Sequence, residues 1–171
     1  LVLTGSNTGD NSLAAAIGDN SGATAISKRS TGTWGLSSAS STFTGGVNII
    51  EGGTLSVTKL ANGGAPSSIG AASNAATSLA ISNNSTLRYT GSGDSTDRLF
   101  GIGAGGGKVE ASGTGALVFT NTGAIGNGGA NVARTFTLQG SSTADNTLAA
   151  SLADMGGASS LAKAGTGKWV L

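Results

Sequence analysis

Apolar residues alternate with small polar ones in short bursts along the whole chain: Leu1 and Leu3, Trp34 and Leu36, Leu55 and Val57, Leu79 and Ile81, Leu87 and Tyr89, Leu117 and Phe119. A period of two places such residues on one side of an extended strand, so one face is buried and the other is wet. The bursts are bounded by Gly, Asn, Ser or Asp, the residues that turn a chain, and about ten of them fall in each 135 residues. Leu, Glu and Lys at helical spacing are missing. The best helical candidate, residues 11–19, has a second version at 146–154 whose apolar residues also alternate, so both are predicted to be strands. Residues 61–77, which hold Pro66, are expected to be a loop excursion or a poorly ordered rung, and 121–131 a glycine-rich loop.

The pattern recurs. Residues 1–36 set against 136–171 match without a gap at 17 of 36 positions, including Leu3 with Leu138, Asp10-Asn11 with Asp145-Asn146, Asp19 with Asp154, Lys28 with Lys163, and Gly32, Trp34 and Leu36 with Gly167, Trp169 and Leu171. The chain therefore reads as one 135-residue unit plus the start of the next, a single segment (1–171) of a longer repetitive protein. A β-sandwich could be built from such strands. A parallel β-helix, in which short strands form coils that stack, accounts better for the period and for the small residues at the turns. The expected fold is thus all-β, a right-handed parallel β-helix with coils of roughly 20 to 30 residues, about five per unit, each adding about 4.8 Å to the shaft.

Composition narrows the function. There are 31 glycines, one proline, 4% aromatic and 10% charged residues, and a net charge of +1. That charge, scattered, offers no footprint for nucleic acid or anionic membranes. No cysteine and no histidine are present, which excludes disulfides, Ser-His chemistry and ordinary zinc sites. The eight carboxylates sit mainly beside turn residues, and the recurrence of Asp10 and Asp19 as Asp145 and Asp154 points to a shared turn rather than to duplicated active sites. Gly101-Ile102-Gly103-Ala104-Gly105-Gly106 spells a dinucleotide fingerprint, but residues 108–111 read as a strand where a helix would be needed. No catalytic residue, cofactor or metal is expected. Asp97 and Arg98 are predicted to form an ion pair at a turn, and Trp34 and Trp169 to pack in the core rather than to stack on sugars.

Residues 28–58 carry a recognisable motif. Gly32-Thr33-Trp34-Gly35-Leu36-Ser37, Thr42-Phe43-Thr44-Gly45-Gly46, a β-branched run ending at Ile49-Ile50, and Gly53-Thr54-Leu55-Ser56-Val57 resemble the autotransporter-associated β-strand repeat, also called the passenger-associated transport repeat, of type V secretion passengers. Ser38 to Ser41 stand where that family has a Gly-x-Asn turn, and Ser30 replaces its first glycine, which Gly165 restores. The resemblance implies a β-helix outside a Gram-negative cell, at the surface or secreted, with partners in its own neighbouring repeats and in the C-terminal outer-membrane β-barrel during export. It implies a structural and transport role for Gly32, Trp34, Leu36, Phe43, Thr44, Gly45, Gly46, Ile49, Gly53, Leu55 and Val57, and for Gly167, Trp169 and Leu171. The alternative is an adhesin module that holds a host glycan or matrix ligand.

Overall fold

The computed structural model describes residues 1–128, 131–154 and 156–171. The described residues wind through seven stacked coils. The first holds β1 (Val2–Leu3) and β2 (Asn11–Leu13), the second β3 (Ile26–Lys28) and β4 (Thr33–Leu36), the third β5 (Val47–Ile49) and β6 (Thr54–Val57). Then come β7 (Leu79–Ile81), β8 (Ser85–Tyr89) and β9 (Asp94–Thr96), followed by β10 (Gly101–Ile102), β11 (Gly107–Ala111) and β12 (Leu117–Phe119). The sixth coil holds β13 (Gly126–Asn127), β14 (Arg134–Gly140) and β15 (Asn146–Leu148), and the last β16 (Ser159–Lys163) and β17 (Trp169–Val170).

Like strands stack on like, giving a six-stranded face one (β1, β3, β5, β7, β10, β13), a seven-stranded face two (β2, β4, β6, β8, β11, β14, β16) and a four-stranded face three (β9, β12, β15, β17). Every pairing between these strands is parallel. The expected β-solenoid is therefore the observed fold, with a single 3-10 turn (Ala76–Ser78) as the only helical element among the described residues. Parallel strands cannot be joined by tight hairpins, so each return to a face runs through the other sides of the coil.

Alternation builds the core as columns. Leu3, Lys28, Ile49, Ile81 and Ile102 stack in register along face one. Leu55, Leu87, Val109 and Leu138 do so along face two, and Phe119 with Leu148 on face three. The aliphatic members are buried, and Phe100 packs edge-on against Phe119 at 5.4 Å. At roughly 1.5 to 3 kcal/mol for each large apolar side chain, these columns are the main stabilising term.

Several strands are shorter than the alternation suggests. Only Asn11–Leu13 of residues 11–19 and Asn146–Leu148 of 146–154 are in strands, because the corners take the rest; Phe43, outside any strand, is still fully buried from a corner. Within 121–131 the chain is not simply a loop: β13 and a parallel bridge from Ala124 to Ser151 make it a rung, while Gly129 and Ala130 lie outside the described residues.

The excursion at 61–77 is a built structure, and it overturns the expected Asp97–Arg98 pair. Arg98, 3% exposed, directs its guanidinium at backbone carbonyls of that segment: Ala72 at 2.8 Å, Ala61 at 2.9 Å, Gly70 at 3.0 Å and Asn62 at 3.3 Å. Asp97 holds the same segment by other groups, accepting from the Gly63 amide at 2.7 Å and the Asn74 side chain at 3.0 Å. A coil bulge that leaves the ladders exposes its own carbonyls, and a planar five-donor group satisfies several at once.

Two expectations follow from the packing. A Cβ at Gly53 would meet Lys28 Nζ at 2.1 Å and the Ser30 carbonyl at 2.2 Å, whereas one at Gly35 would meet nothing closer than 3.6 Å. Urea unfolding should therefore show Gly53→Ala destabilised by about 1 to 3 kcal/mol or more and Gly35→Ala within about 0.5 kcal/mol of the parent; equal effects would contradict the stacking. Burial pushes the Tyr89 hydroxyl from its ordinary 10.0 up to about 12, with the Asp94 charge adding to the rise against the opposing Gly93 amide bond. Because the folded value is the higher, this contribution to stability is complete below pH 10 and is lost as pH rises toward 12. Tyr89→Phe should flatten the fall in melting temperature over that interval.

Candidate functional site

The motif residues occupy two coils and the corners between them. Leu36, Phe43, Ile49, Leu55 and Val57 join the buried core cluster, while Trp34 and Trp169 are half-buried and pack against its edge. Both tryptophans therefore pack against the core as expected, but from its rim. The partner of Trp34 in the preceding coil is the shorter Asn11, and the indole N–H reaches past it to donate to the Thr4 carbonyl at 3.0 Å. An amphipathic ring with a bonded N–H suits such an edge. Leu171, in the last coil, is 75% exposed and lies outside that cluster.

The glycines mark where coils approach backbone to backbone. A Cβ on Gly32 would lie 2.5 Å from the carbonyls of Gly5 and Asn7, and one on Gly167 2.6 Å from the Ser142 carbonyl. Gly46 is needed for its backbone, φ +79°, in the left-handed region. Ser30 adopts φ +60° where Gly165 adopts +68°, so the serine keeps the backbone of the glycine at the matched position. Thr44 binds Asp19 through its hydroxyl at 2.7 Å and its amide at 3.1 Å, and Asp19 also accepts from the Thr24 amide at 2.8 Å. Those bonds, the Thr24 amide first, hold the Asp19 carboxyl below its ordinary value. Asp154 accepts from the Ser159 amide at 2.7 Å, the equivalent bond in the second copy.

Two pairs of matched polar residues, Asn11 with Asn146 and Lys28 with Lys163, were given no role by sequence reasoning. Asn146, fully buried, donates to the Lys168 carbonyl of the next coil at 2.8 Å and to Ala144 and Ser142 in its own turn at 3.1 and 3.2 Å. Its Oδ1 accepts from the Leu117 amide of the coil before at 2.9 Å, so one side chain ties three coils. Asn11 donates in the same way to Thr33, at 2.8 Å. Lys28, also fully buried, donates from Nζ to the carbonyls of Arg29 and Ser30, both at 2.7 Å, and Lys163 repeats this with Ala164 and Gly165 at 2.8 and 3.0 Å. Burial pulls the Lys28 pKa down, against the Glu51 charge that raises it. The signal that could have found them was their recurrence among the matched positions.

Outside the motif, the outer side of face two carries a polar ladder, Arg88, Glu110 and Gln139 in register. Burial pushes the Glu110 carboxyl up. Bonds from Gln139 at 2.8 Å and Ser112 at 2.9 Å, with Arg88 at 2.7 Å, outweigh it and hold the group below its ordinary value. A shallow groove over Gly35 is walled by Asp10, Ser12, Ser37, Ser56 and Thr58. No cluster of three metal-ligating side chains occurs among the described residues. What the arrangement does chemically is pair backbone groups between coils.

The chain is 54% identical over 173 aligned positions, its whole length, to a stretch of the adhesin BmaC autotransporter of Brucella suis biovar 1 (strain 1330). It is a homologue of one segment of an autotransporter adhesin. It spans about 5% of that protein's length. No protein-family model matches the chain, and no solved structure does.

Lys28→Met should cost about 1 to 3 kcal/mol in urea unfolding, because two part-buried carbonyls lose their donor. Lys163, exposed in the last coil, should tolerate the same change within about 0.5 kcal/mol. Equal losses at both positions would refute the assignment.

Proposed function

We propose that the chain is a structural segment of an autotransporter passenger at the surface of a Gram-negative cell, serving as a spacer shaft whose motif at residues 28–58 promotes folding and outward movement. The observation that carries this reading is that the staples reach across coils. Asn11 binds a carbonyl of the coil that follows it, and Asn146 binds the coils on both sides. A folded coil therefore presents ready donors and an open parallel edge to the next length of chain. Where a passenger emerges unfolded and no ATP acts outside, adding coils in this way opposes backsliding. Its partners in that process are the neighbouring coils and the outer-membrane β-barrel of the parent protein.

A second reading, adhesion, is favoured by the name of the relative, an adhesin. The segment would then hold a host glycan or matrix ligand along its shaft. The groove over Gly35 is one concave surface open to such a ligand.

Surface display of the full-length parent protein separates the roles. Trp34→Ala and Asn11→Ala should each delay appearance of the passenger outside the cell, in proportion to their loss of stability. Normal display of a passenger that is clearly destabilised would overturn the folding-driven part. Unchanged cell adhesion by a displayed protein lacking residues 1–171 would overturn the second reading.

A further inference from the structure

Trp34 and Trp169 occupy matched positions of the repeat and make the same bond, from the indole to a carbonyl of the previous coil. They do not lie on the same side of the shaft. Trp34 belongs to β4 on face two and Trp169 to β17 on face three. The same shift holds for the other matched elements. Val2 and Leu3 are in β1 on face one, and Thr137 and Leu138 in β14 on face two; Asn11 is on face two and Asn146 on face three. From β1, face one is revisited by β3, β5, β7, β10 and β13, and the chain then turns one corner into β14. The period of the repeat is thus five coils and one face, not a whole number of turns.

This is physically allowed because the motif specifies a corner and not a side. Each of its bonds stays within a corner or joins it to an adjacent coil: the lysine to its own turn, the asparagine to the carbonyl before the tryptophan in the next coil, the indole to the end of the first strand of the previous coil. Two of the three corners accept that set in this structure, and every face is a parallel ladder with the same spacing between coils, which gives the third the same geometry to offer.

We infer that each further copy of the repeat in a longer chain sits a third of a turn further round the shaft. Three such steps bring the fourth copy back to the starting side. The outer surface of the motif is then shown on three flanks in rotation, and a shaft built from such copies has no single front. The inference rests on the proposed passenger reading only in supposing that further copies exist in one chain.

The chain has no cysteine, so paired labels can be placed at will. Thr31, Ala158 and Thr166 are all exposed. Thr31 is at the corner entering β4, Ala158 at the same corner, entering β16, in the last coil, and Thr166 at the next corner, entering β17. Spin-label distances in the native chain should be longer for Thr31→Cys with Thr166→Cys than for Thr31→Cys with Ala158→Cys. A Thr31–Thr166 distance equal to or below the Thr31–Ala158 distance would overturn the rotation. In a tandem of three copies of the repeat unit labelled at successive Thr31 positions, the distance from the first to the third label, divided by that from the first to the second, should fall below two; a ratio of two means a straight line of motifs and refutes the inference. Should the tandem fail to fold, the native-chain comparison decides. All of these distances are read on purified protein, so they succeed or fail independently of any effect on export.

Discussion

The fold depends on how a parallel coil satisfies its backbone at the corners. Along a face the ladders pair amides and carbonyls of neighbouring coils, but at each corner the chain leaves the ladder and its carbonyls need other donors. A buried acceptor left alone costs about 1 to 3 kcal/mol, and a seven-coil stack has many corners. The chain meets this with a few long polar side chains turned inward, Asn11 and Asn146, Lys28 and Arg98, each serving several carbonyls or an amide. The apolar columns supply most of the stabilisation, but the corner bonds determine which coil sits on which and in what register. A one-residue slip would turn each column to solvent, and it would also strand these donors.

The strands were legible because alternation is a direct image of one-sided burial. Leu55 with Val57 and Leu117 with Phe119 are read from the sequence as they stand in the structure. Corner chemistry was not legible. Asn, Lys and Arg are residue types of the surface, and nothing in the local pattern distinguishes Lys28, completely enclosed, from Arg29, which pairs with Glu51 in solvent. Arg98 was misassigned for the same reason: its neighbour Asp97 is the obvious partner in sequence, whereas the carbonyls it serves lie in the excursion that precedes it by a whole coil. The phase of the period was hidden as well. Matched residues of the two copies suggest equivalent positions on the shaft, and only the path of the chain shows that they have moved round it by a face.

The corner motif also bears on how such a protein is built. Its contacts are confined to adjacent coils, so stability accumulates by nearest-neighbour terms and each coil needs only the one before it to be in place. A segment of this kind can be identical in local detail and still differ in which direction it faces, which suits a shaft more readily than a single shaped cavity.

The coil that runs from Val47 to its ladder partner Leu79 is longer than the one from Ile26 to Val47, and the register does not change. The longer coil contains the knob that Arg98 and Asp97 fasten from the following turn. Length variation is therefore absorbed sideways, at one corner, without disturbing the axis. A lineage could lengthen, shorten or exchange such ornaments, each bringing its own fastener, while the thread of the screw beneath them stayed unaltered.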